Sequence, residues 1–218
     1  MKMEVRKPAN LNILALSGVL AVGFYLAHVV VGRLLWVDYN PLAQPISDLT
    51  AGNAPSQAIA SKIVYGYNFL NLVFCAVLLL YFKQVWINRT FYTGLILKAL
   101  AEMLSTVGYL LFPLADTAWG GSFQNTMHYA ITGVIVFSYI ILSVLLAWGL
   151  ARAKKYSVMT RFLTTYGVVF IISGLLTVVA ANNFPQYVGL MERINLYSLM
   201  TVNLILALWV FGDKPNVS

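Results

Sequence analysis

Six continuously apolar runs constrain this chain more than any other feature: Leu11–Val31, Ile63–Phe82, Phe91–Phe112, His128–Ala151, Phe162–Ala181 and Leu190–Phe211. A helix of about 20 residues, rising about 1.5 Å per residue, spans the hydrocarbon core of a bilayer. The runs are apolar throughout rather than alternating, which selects helices over the strands of a barrel. Charged residues make up 10% of the chain, less than half of the roughly 25% carried by a soluble domain. The expected fold is therefore all-α, a polytopic bundle of six transmembrane helices forming one domain over residues 1–218.

The net charge of +7 raises nucleic acid as a partner, and its distribution argues against it. Lys2, Arg6, Lys7, Lys83, Arg89, Arg152, Lys154, Lys155, Arg161 and Lys214 flank one end of the predicted spans, ten in all. Arg33, Lys62 and Arg193 flank the other, and Lys98 lies within a span. Ten against three predicts both termini in the cytoplasm, by the positive-inside rule. The first run is too long for a signal-peptide core and reads as an uncleaved helix. A single cysteine, Cys75, allows neither an intrachain disulfide nor a cysteine metal cluster.

The outer face is then where the polar chemistry collects. Its longest stretch, Asp38 to Pro55, reads DYNPLAQPISDLTAGNAP. Ser47-Asp48 within it reads as a helix N-cap or an Asx turn; the alternative is a serine and carboxylate facing a lipid headgroup or a metal. Asp116 follows Phe112-Pro113 within a turn, and Trp119 is placed to anchor at the interface. His128 opens the fourth span, either as a satisfied interface histidine with Asn125 capping its helix or as a ligand or proton carrier. Glu192 suits the positive end of the sixth helix, whereas Arg193 beside it needs an anion to answer it. Asp48 and Asp116 are the available carboxylates, so the expectation is an Arg193–aspartate pair with His128 lining the same outer cavity.

Polar residues also enter the spans. Lys98 and Glu102 are four apart on one helical face, continued by Ser105 and Tyr109. Lys98 is close enough to the cytoplasmic end to snorkel. Glu102 lies near mid-membrane and must pair, stay protonated or meet water. The Lys98–Glu102–Tyr109 face is expected to look into the bundle.

Absences narrow the function. There is no phosphate-binding loop, no HExxH and no GxSxG turn. A zinc site would need His28 and His128 with some of Asp48, Asp116 and Glu192, without any close-spaced pair to seed it. The sequence names no catalytic residue, cofactor or resident metal.

The motif set, YNPL-Q-ISDL, FP followed by an acid, a histidine opening the fourth helix and GL-ERI before the last, resembles the DUF998 family of small prokaryotic integral membrane proteins. The resemblance covers about Leu11 to Phe211. It implies motif positions at Tyr39, Pro41, Ile46, Ser47, Asp48, Leu49, Phe112, Pro113, Asp116, His128, Gly189, Leu190, Glu192 and Arg193, and no established activity. An analogy to seven-span zinc hydrolases fails, since those use three histidines and this chain has two. Two expectations follow. The first is a cell-membrane protein binding a membrane lipid headgroup or small polar ligand through Ser47, Asp48, Asp116, His128, Glu192 and Arg193. The second is an intramembrane lipid hydrolase using His128 with Asp48, Asp116 or Glu192.

Overall fold

A computed structural model describes residues 9–117 and 121–213. Its helices are α1 (Ala9–Leu14), α2 (Leu16–Leu35), α3 (Gln57–Gln84), α4 (Arg89–Leu111), α5 (Phe123–Ala153), α6 (Ser157–Asn183) and α7 (Val188–Gly212). The described residues contain no strand, and six helical stretches are long and apolar enough to cross a membrane. The protein is a multi-pass membrane bundle.

Consecutive long helices are neighbours, and α7 returns to pack against α2, so the six spans close into a ring. Short connections at one end, 85–88 and 154–156, force antiparallel pairs. Side chains such as Phe74, Leu78, Leu95, Leu142, Leu163 and Leu206 fill the centre. Phe69, Phe137 and Leu175 instead stand more than 60% exposed on the outside. Large apolar side chains pointing outward on most helices suit a lipid solvent, where the cost of exposing them disappears.

The helices overrun the apolar runs. They start at Gln57, Phe123 and Ser157 rather than near 63, 128 and 162, because a helix continues through the interface for as long as its polar residues have partners. Asn125 is not the cap of α5. Ser122 is, its hydroxyl accepting from the Asn125 amide at 3.1 Å. Ser47-Asp48 caps nothing either: it lies inside a 3₁₀ turn, Ile46–Thr50, preceded by Pro45 and without a side-chain cap bond. Trp119, Lys214 and the basic cluster Lys2, Arg6 and Lys7 lie outside the described residues.

Candidate functional site

The first connection, 36–56, gathers at one end of the bundle with residues 112–117 and 184–187, and it binds both the stretch that follows α4 and the first turn of α7. Gly52 donates its amide to the Leu114 carbonyl at 2.9 Å, and Leu190 donates to Leu42 at 2.9 Å. Thr117 donates its amide to Asn53 Oδ1 at 3.1 Å. This loop-rich end has the first connection at its centre.

Its local fold follows from Pro and Asn placement. Asn40 accepts from the Leu42 amide through its side chain, and Gln44 Oε1 accepts from the Asn40 amide at 2.6 Å. That tight loop, with prolines at 41 and 45 that donate nothing, leaves the carbonyls of Pro41 and Gln44 unused by secondary structure. Arg193 collects them. Its Nη1 donates to Pro41 at 2.5 Å, to Gln44 at 2.8 Å and to Gly189, one turn back, at 2.9 Å. Its Nη2 donates to the Tyr39 hydroxyl, and the guanidinium lies 5.4 Å from the Tyr39 ring centroid. Tyr39 in turn donates towards the Pro45 and Gln44 carbonyls, at 2.7 and 3.1 Å. Burial pushes its phenol above the ordinary range, against the opposing pull of Arg193.

The expected Arg193–aspartate pair does not form. No carboxylate lies within 4 Å of the guanidinium among the described residues, because a loop built without backbone partners supplies the acceptors instead. Its neighbour Glu192 takes the same loop by a different bond: Glu192 Oε2 accepts from the Ile46 amide at 2.5 Å. Gly189 makes this possible, since a Cβ there would run into the Gln44 and Pro41 carbonyl oxygens. One helical turn, Gly189 to Arg193, thus holds three successive parts of the first connection.

Asp48 sits beside this turn, 4% exposed. Burial, reinforced by the charge of Glu192 and only partly offset by Arg193, pushes its carboxyl up to about 7. Ser47 is half-buried on the same 3₁₀ turn, and its carbonyl accepts from Thr50 Oγ1 at 3.0 Å.

Asp116 belongs to the stretch that follows α4, and His128 to the second turn of α5. Asn125, fully buried, accepts from the Ala115 amide at 2.8 Å and donates to Asp116 Oδ1 at 3.1 Å. His128 is buried, donates Nδ1 to the Phe112 carbonyl at 3.0 Å and stacks on Tyr109 with centroids 4.6 Å apart. It faces neither lipid nor Arg193. His28 is bound within its own helix, Nδ1 to the Tyr25 carbonyl at 2.6 Å. Among the described residues no three of His, Cys, Asp and Glu come together in a way that could hold a metal ion.

A cleft of about 270 Å³ opens beside Arg193, between α2, the first connection and α7. Arg33 and Arg193 line it with Tyr39, Val29, Val30, Leu34 and Tyr197. Arg33 is exposed and donates Nη1 to the Trp36 and Val37 carbonyls at 2.8 and 2.9 Å. The cleft therefore pairs two cationic side chains with an apolar wall. Arg33 was legible only as a charge on the sparse side of the topology.

The Lys98–Glu102–Tyr109 face does look inward. Lys98 does not snorkel: it is 1% exposed and its Nζ lies 3.0 Å from Glu102 Oε1. Pairing with a carboxylate one turn away replaces the reach to the interface that a lone ammonium would need. Tyr139 also donates to that oxygen, and Tyr109 bonds Thr132 at 2.9 Å.

A family model described as "Protein of unknown function (DUF998)" covers residues 19–209. No curated protein and no solved structure matches.

Proposed function

The chain belongs to the DUF998 family, and from that premise we propose that it is a cell-membrane protein that binds an anionic lipid headgroup in the cleft between α2, the first connection and α7. One observation carries this reading. A buried guanidinium, held by carbonyls and a phenol and not by a carboxylate, shares the cleft with a second arginine. Carbonyl dipoles orient a cation without cancelling its charge, so the field at the cleft favours an anion. The apolar wall of Val29, Val30 and Leu34 suits the first carbons of an acyl chain. The basic residues flanking the opposite end of the spans support an orientation with both termini in the cytoplasm, which puts the cleft at the outer leaflet. Alkaline phosphatase fused after Ser218 is then inactive, and an active fusion reverses the topology.

Binding is tested in phosphatidylcholine nanodiscs spiked with phosphatidylglycerol. The anionic lipid is expected to raise the melting temperature and to stay bound in native mass spectra, with Arg33→Gln weakening it about tenfold, as expected for loss of one charge-assisted bond. Arg33 is exposed, so the variant keeps the fold. Equal stabilisation by phosphatidylcholine alone, or an unaffected Arg33→Gln, overturns the proposal.

A further inference from the structure

Halfway through the bundle, five helices turn polar side chains towards one another. Lys98 and Glu102 come from α4, Tyr139 from α5, Tyr67, Asn71 and Cys75 from α3, Tyr166 from α6 and Asn203 from α7. Some of their bonds close locally. Asn203 Nδ2 donates to Asn71 Oδ1 at 3.3 Å, and Asn71 Nδ2 donates to the Tyr67 hydroxyl at 3.1 Å. Glu102 takes Lys98 and Tyr139 on the same oxygen, Oε1. Cys75, buried on α3, lies one helical turn from Asn71.

Two atoms are left over. The Tyr166 hydroxyl, on a side chain 4% exposed, and Asn203 Oδ1, on one fully buried, have no hydrogen-bond partner among the described residues. Tyr166 and Tyr139 flank the same ring, Phe170, each with centroids 5.8 Å from it, so Tyr166 is one aromatic ring removed from the tyrosine that bonds Glu102. An unsatisfied buried hydroxyl costs about 1–3 kcal/mol. An ion pair in dry hydrocarbon surroundings adds a desolvation penalty of several kcal/mol per charge. Buried water, which makes about three hydrogen bonds to such groups, relieves both costs. Ionisable groups inside membrane bundles pair with one another and face the bundle interior or water-filled space.

We propose that the centre of this bundle is a hydrated site in exchange with solvent, in which water bonds Tyr166, Asn203 and the Lys98–Glu102 pair. Its ligand is water, and it is separate from the lipid cleft. A polar track leads from it towards the loop-rich end along Tyr109 and Thr132, whose hydroxyl donates to the His128 carbonyl at 2.9 Å.

The decisive variant is Tyr166→Phe, which removes only the orphaned oxygen. If the site is dry, losing an unpaired buried hydroxyl leaves the melting temperature unchanged or raises it. If water bonds that hydroxyl, the melting temperature falls, by about 2–4 °C for a chain of this size. Solvent exchange is read on Cys75, the single cysteine, in folded protein in liposomes. The neutral, hydrophilic reagent 2-hydroxyethyl methanethiosulfonate should add one mass increment, absent in Cys75→Ser. A Tyr166→Phe protein as stable as the parent, or a Cys75 that reacts only after unfolding in detergent, overturns the proposal.

Discussion

Two buried cations, Arg193 and Lys98, are answered in different ways, and the difference lies in the backbone around them. Arg193 stands where the chain leaves its helices. There the carbonyls of Pro41 and Gln44 have no helical partner, and the fork of a guanidinium gathers them. Lys98 stands in mid-span, where the helical carbonyls are already taken by backbone amides. Only a side chain can answer it there, and Glu102 does, at 3.0 Å. The lesson is that irregular backbone substitutes for a counter-charge at a membrane protein's end but not in its middle. Arg193 is held by carbonyls and a phenol, whereas Lys98 is held by a carboxylate.

The largest expected effect breaks the mid-span member of the comparison. Lys98→Met leaves Glu102 with an uncompensated buried charge and should cost about 3–5 kcal/mol, with Lys98→Met/Glu102→Leu recovering most of it. Detergent-denaturation curves of the single and double variants decide this, and a double variant no better than the single one would count against the pair. Next comes Arg193→Lys. An ammonium cannot reproduce the planar fork, so about 1.5–3 kcal/mol should be lost although the charge is kept. If lysine serves as well as arginine, the carbonyl cage is not what holds the first connection.

Gly189→Ala crowds the same cage, Arg193 Nη1 included, without removing a charge. The added methyl meets the Gln44 and Pro41 carbonyl oxygens, and overpacking of this kind costs roughly 1–3 kcal/mol. Limited proteolysis should show earlier cleavage within 36–56, and an unchanged pattern would sink the prediction.

A pH dependence at Asp48 tests the neighbour of the Arg193 cage. Its folded carboxyl titrates at about 7, against an ordinary value of 3.8. A raised acid binds its proton more tightly in the folded state, so its contribution is favourable at low pH. That contribution declines as pH rises from near 4 and is gone above about 7. Asp48→Asn should therefore raise the melting temperature at pH 8 and lose that advantage by pH 4. A gain that grows on acidification would contradict the raised carboxyl.

Much of the fold was legible because hydrocarbon imposes it. A run such as Leu190–Phe211 has no alternative to a helix once water is excluded, and six of them fix the span count. The inward face of Lys98, Glu102 and Tyr109 was legible for the same reason, since spacing by four and the cost of exposing charge to lipid point one way. Helix starts such as Phe123 were not, because they depend on Ser122 finding the Asn125 amide rather than on hydropathy.

For the candidate site, the sequence alone determined which residue types need partners: Arg193 at a positive helix end, Glu102 in mid-span and Asp48 in a long polar connection. Only the tertiary structure decided who those partners are. Arg193 lies 149 and 152 residues from the carbonyls it binds, and those acceptors are backbone atoms, which every residue carries and no side-chain pattern announces. The aspartates named by charge were therefore the wrong partners. Residue identity shows a charge that needs an answer, but free carbonyls exist only where the folded chain leaves them without amides.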